Sequence, residues 1–182
     1  MPYQMDSRPF SRTGFTLIEL LVVVAILGVL TLVGYIAYSK LITQADAAQC
    51  MANMRSLHTA LSAYVQNQRH WPQPPEELLE AENDDAWEDW WVDTLTPYGV
   101  TEATWQCPTL RRILVRSEEI QRPRIHYAPT PFDSAEMTPY RWSTQPWLVE
   151  MGNIHTRGAH ILFPDGSIRV MNDLLPQPSP SP

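Results

Sequence analysis

Cysteine is scarce in this chain. Its 182 residues include only Cys50 and Cys107, too few for a disulfide-dense scaffold. They leave one bridge, if the body is exported, or two buried thiols. Basic residues are in the minority: 13 Lys and Arg face 20 Asp and Glu, for a net charge of −7. Without a basic stripe to displace counterions, nucleic acid is excluded as a partner. The chain has no Gly-rich phosphate loop, no Gly-x-Ser-x-Gly and no His-Glu-x-x-His, so no enzymatic activity is expected. Proline is absent from Phe15 to His70, although the chain has 17 of them. That absence removes the usual cause of a helix break over a long stretch.

What is present first is an apolar run, Phe15 to Ala37. It is long enough to cross a bilayer core, which takes about 20 residues as a helix. Arg8 and Arg12 precede it, while Lys40 and Asp46 follow. This bias places the N-terminus in the cytoplasm and sends residues from 40 onward across the membrane. A secretory signal cut near Ala45-Asp46-Ala47 would need a shorter apolar core. A lipid anchor on Cys50 would need an apolar lead-in, which "DAAQ" lacks. A plain membrane anchor explains the run but not Glu19, a carboxylate within it. An acid in a membrane helix is costly and normally has a partner.

The stretch "GFTLIELLVVVAILGVL", behind a basic leader, resembles the N-terminal signature of type IV pilins and of the pseudopilins of type II secretion. The resemblance implies a prepilin peptidase cut after Gly14, methylation of the new N-terminal Phe15, and Glu19 as the assembly residue. The cut would create an ammonium four residues before Glu19, a spacing that meets on one helix or between neighbouring subunits. One departure is that Thr13, not a basic residue, precedes Gly14.

The helical pattern continues through residues 39–70. Leu41, Ala45, Ala48, Met51, Leu57, Leu61 and Tyr64 would form one apolar face. A helix from Phe15 to His70, closed by Pro72, is expected. Gly28 and Gly34 are its weak points, and the resemblance implies local melting there when a subunit leaves the membrane. The later Cys-Pro at 107–108 and the helix Cys50 resemble those of pseudopilin-like proteins, which implies one intramolecular bridge between Cys50 and Cys107.

In the body, "PPEELLEA" reads as a short helix. Residues 83–100 read as a surface helix whose tryptophans cover the core. The functional option there is a calcium site among Asp84, Asp85, Asp89 and Asp93, or an aromatic contact surface. Calcium takes about six to eight oxygens, often in a glycine-containing loop, and the nearest glycine is Gly99. Residues 124–130 and 147–151 are strand-compatible, and 159–171 forms a hairpin by pattern. His155, Asp165 and Gly166 make a His-X9-Asp-Gly arrangement that resembles one found in a subgroup of pseudopilin-like secretion proteins. Asp165-Gly166 reads as turn chemistry and His155 as a structural hydrogen-bonder. His126 and His160 could join a zinc site in principle, yet no tight ligand pair is visible.

The expected class is therefore α+β and pilin-like, a long N-terminal helix packed on a small antiparallel sheet. The expected segments are a leader at 1–14, a transmembrane half-helix at 15–38, an amphipathic half at 39–70, a periplasmic body at 71–175 and a Pro/Ser tail at 176–182. The resemblance implies a structural subunit of a filament in the bacterial inner membrane. Its partners would be other pilin-like subunits, the peptidase and the assembly machinery. A type IV pilus subunit and a membrane-anchored Trp-rich binding module are the alternatives.

Overall fold

A computed structural model describes residues 16–80, 84–116, 123–152, 154–155 and 158–174, apart from the side chains of Ile36, Glu80 and Asp84. Gly14, Phe15 and the 176–182 tail lie outside the described residues. The chain divides into two units, Met1–Leu41 and Ile42–Pro182.

Helix α1, Leu17–Gln68, runs unbroken through both Gly28 and Gly34. At about 1.5 Å per residue its length is about 78 Å. It ends two residues before His70, because Arg69 adopts a left-handed φ of 68°. The Arg69 N–H donates to the Val65 carbonyl at 2.8 Å, the single bond of an αL cap. A non-glycine residue is costly there. Arg69 is held by two bonds to Glu136 Oε1, at 2.9 and 2.7 Å, and by the Met137 N–H on its carbonyl at 2.8 Å.

In the first unit the described side chains from Leu17 to Tyr35 are exposed. A helix apolar all round is built for lipid or for other helices. In the second unit, α1 buries Cys50, Met54, Leu57, Ala60, Leu61 and Val65, with Tyr64 packed alongside. Leu57, Leu61 and Tyr64 fall on the face expected from sequence, but Ala45 and Ala48 are exposed and Met51 is half-buried. The stripe that packs is in phase with Cys50 and Met54, and alanine is too small to reveal which phase wins.

The body adds α2 (Glu76–Glu80), α3 (Asp84–Leu95), α4 (Pro108–Arg116), α5 (Thr138–Arg141) and α6 (Met171–Leu174). Four short strands, β1 (Tyr127–Pro129), β2 (Leu148–Glu150), β3 (His160–Leu162) and β4 (Ile168–Val170), pair antiparallel in chain order. The layout is the expected α+β, pilin-like one. Helix α4 was not anticipated from the sequence: none of its residues is fully buried, Ile113 and Val115 are exposed, and Leu110 packs half-buried against the core.

Tryptophan fills the core. Trp71, Trp105 and Trp147 are fully buried, and Trp91 of α3 joins them with ring centroids 6.1 Å from Trp71 and 6.3 Å from Trp105. Trp87 and Trp90 pack half-buried against this cluster. The β3–β4 turn closes through the Gly166 N–H on the Phe163 carbonyl at 2.9 Å, with Gly166 at φ 77°. Asp165 Oδ1 accepts the Ser167 N–H at 2.9 Å. The turn docks on α1: His58 bonds the Pro164 carbonyl at 3.0 Å and stacks on Trp147 at 5.0 Å.

Candidate functional site

Two polar sites stand out, one in each unit. The first is at the start of α1. The first four N–H groups of a helix have no partner within it. Here Glu19 Oε2 accepts from both the N–H and the hydroxyl of Thr16, each at 2.8 Å, and the Glu19 N–H donates to Thr16 Oγ1 at 3.4 Å. This reciprocal pattern is a capping box, with Thr16 at the N-cap and Glu19 at N3. Glu19 therefore has an intrachain partner that the sequence reading overlooked, although Thr-x-x-Glu before an apolar run is its signature. The rest of this segment is consistent with lipid. Its helix is long and apolar enough to cross a membrane. The Thr31 hydroxyl, otherwise unsatisfied in hydrocarbon, donates to the Leu27 carbonyl.

The second site is buried in the body. Cys50 of α1 and Cys107, just before α4, form a disulfide across 57 positions, with their Cα atoms 5.2 Å apart. It ties the long helix to the loop that leads into α4. Beside it lies Glu150 at the end of β2, 2% exposed. Register explains its neighbours. Tyr127 pairs with Glu150 across β1–β2, and continuing the β2–β3 register places His160 opposite Glu150. Glu150 Oε2 takes the His160 N–H at 3.0 Å and meets His160 Nδ1 at 2.7 Å. Glu150 Oε1 meets His155 Nε2 at 3.0 Å, and that same nitrogen lies 3.6 Å from Cys107 Sγ.

Burial alone would raise the Glu150 pKa, but the bonds from His155 and His160 prevail and hold it at about 2. Burial, and after it the charge of the same carboxylate, pushes the Tyr127 phenol up. On the other side of the disulfide, the Cys107 N–H donates to His126 Nδ1 at 2.8 Å, which puts the His126 proton on Nε2. Burial lowers the His126 pKa.

The structure separates the two halves of the His-X9-Asp-Gly arrangement. His155 faces Glu150 and Cys107, whereas Asp165 and Gly166 build the hairpin turn. The acidic candidates of α3 lie along a helix rather than a loop, and Asp89 is engaged by Arg124. Among the described residues one group of potential metal ligands converges: Cys50, Cys107, Glu150 and His155. Neither His126 nor His160 belongs to it. Only Glu150 and His155 are near each other in sequence; Cys50 comes from α1 and Cys107 from the loop before α4, so the group as a whole has no compact ligand spacing.

No curated protein and no solved structure matches the chain. Residues 10–35, however, match the family model for the prokaryotic N-terminal methylation motif. That motif implies processing by a prepilin peptidase, single-pass membrane anchoring and assembly into a filament. The chain thus carries the N-terminal signature of type IV pilins and pseudopilins on a pilin-like α+β layout.

Proposed function

We propose that this chain is a pseudopilin, a structural subunit of a type II secretion-type periplasmic filament. The observation that carries the reading is the methylation motif at 10–35, which covers an exposed, predominantly apolar helical segment with Glu19 near its start. Such a helix loses nothing by moving from lipid into a bundle of identical helices. Cleavage after Gly14 would free an ammonium at Phe15. Glu19, held in the separate subunit by Thr16, would exchange that local cap for the amine of a neighbour. One charge pair per subunit then sets the register, while apolar packing supplies the cohesion. The work is mechanical and needs no catalytic residue. The precursor sits in the bacterial inner membrane with its N-terminus in the cytoplasm, and the body faces the periplasm. Its partners are the peptidase, the assembly machinery and other pilin-like subunits.

The test is Glu19→Ala in the native host. The variant is expected to be processed and folded yet absent from sheared or cross-linked filaments, with export lost. Normal filament incorporation would sink the proposal. A type IV pilus subunit is the second reading, favoured by the same motif. Loss of long surface fibres, with secretion intact, would select it.

A further inference from the structure

We propose that in its dithiol form this chain binds one zinc-class divalent cation through the Cys50 and Cys107 thiolates, His155 Nε2 and a Glu150 carboxylate oxygen. The four donor atoms lie within 4.8 Å of one another, and all four residues are buried. His155 aims a single ring nitrogen at both the sulfur, 3.6 Å away, and the carboxylate, 3.0 Å away. A proton relay would engage one partner on each nitrogen. Here Nδ1 has no partner among the described residues, and the donors converge on one point. Zinc bonds of about 2.0–2.3 Å imply donor–donor edges of roughly 3.3–3.8 Å in a tetrahedron. The 3.0 and 3.6 Å separations straddle the lower edge of that range, and opening the S–S bond frees the two sulfurs to move apart to it.

Two thiolates, an imidazole and a carboxylate suit zinc and disfavour calcium or magnesium, which prefer oxygen alone. Glu150 is oriented from behind by the His160 N–H and Nδ1 on its other oxygen, the kind of outer support that ligating carboxylates need. Burial excludes water, so the site is of the closed, structural type rather than an open catalytic one. A surface cleft of about 300 Å³ lies alongside, lined by Gln49, Gln106 and Pro108, the chain neighbours of the two cysteines.

Cysteines enter a new chain as thiols. Binding converts two Cys S–H groups and one M²⁺ into two metal–sulfur bonds and releases two protons. Transfer of two electrons and two protons to a disulfide donor instead forms the S–S bond, which consumes the thiolates. The bridge and the metal site therefore exclude each other, and the metal-bound form precedes or replaces the oxidised one.

The test uses the full chain in detergent micelles, reduced with a phosphine, without oxygen or chelator, and titrated with Co²⁺. One equivalent is expected to saturate a thiolate-to-cobalt charge-transfer band with intense tetrahedral d–d bands. Zn²⁺ should displace it, and the disulfide form should show none. Losing His155 in His155→Ala should weaken Co²⁺ by more than the roughly 10–100-fold typical of an outer-shell partner. Tryptophan fluorescence monitors folding throughout. If the reduced chain unfolds and Zn²⁺ refolds it, the proposal stands. Absence of the band in a folded reduced chain overturns it, as do failure of Zn²⁺ to refold an unfolded one and an unchanged affinity in His155→Ala.

Discussion

Glu19 and Glu150 are both carboxylates set among apolar residues, and they are held in opposite ways. Glu19 lies on an exposed apolar helix, and its described partners are the N–H and hydroxyl of Thr16, three residues back. Glu150 is buried, and its partners are His155 and His160, five and ten residues on. The local cap of Glu19 can be surrendered at little cost when a better charge arrives, which suits a residue that changes partners. The shell around Glu150 cannot be surrendered without leaving buried imidazoles unmatched. One acid is placed for assembly, the other for the integrity of the body.

The sharpest way to break this comparison is Glu150→Ala. Removing the carboxylate leaves two buried imidazoles without their hydrogen-bond partner, at a cost of about 1–3 kcal/mol for each. All seven tryptophans lie in the second unit, so urea unfolding followed by their fluorescence reads the body alone. A loss under about 1 kcal/mol, the range of a surface pair, would mean that Glu150 is no structural keystone. Replacing both Cys50 and Cys107 by Ser removes a bridge across 57 positions and should cost about 4 kcal/mol in the chain-entropy model, measured the same way with chelator present.

Acid should act next. The Glu150 pKa is held at about 2 against an ordinary value of 4.5, so its contribution is complete above pH 4.5 and lost as pH falls toward 2. That shift corresponds to about 3 kcal/mol of stability. His126, with its pKa lowered by burial, adds in the same direction as pH falls below 6.5, because the unfolded chain takes up its proton first. An unfolding midpoint that is flat from pH 6 to pH 2 would contradict both. The smallest effect belongs to Glu19→Ala. The urea midpoint of the body should stay unchanged, so any loss of filaments would report assembly and not folding. A large shift would show that the first unit supports the body.

The sequence was most informative where partners are close along the chain. The membrane-length run, the Glu19 position and the Asp165-Gly166 turn are read from neighbours within a few residues. So is the helical character of 39–68, yet its packing phase is not. Ala45 and Ala48 fit the pattern but are exposed, while Cys50 and Met54 face the core. The end of α1 was also hidden. Arg69 rather than Pro72 stops it, through a left-handed turn anchored by Glu136, 67 residues away. Trp91 belongs to the core only because Trp71 and Trp105 are brought to it.

By itself, then, the sequence determined the anchor, the processing signature and the α+β class, because lipid burial and helix periodicity act locally. Only the tertiary structure decided that Cys50, Cys107, Glu150 and His155 meet. Strand register aligns Glu150 with His160, and helix packing brings Cys50 to Cys107. Neither carries a local signal, since each depends on how distant segments share one buried core.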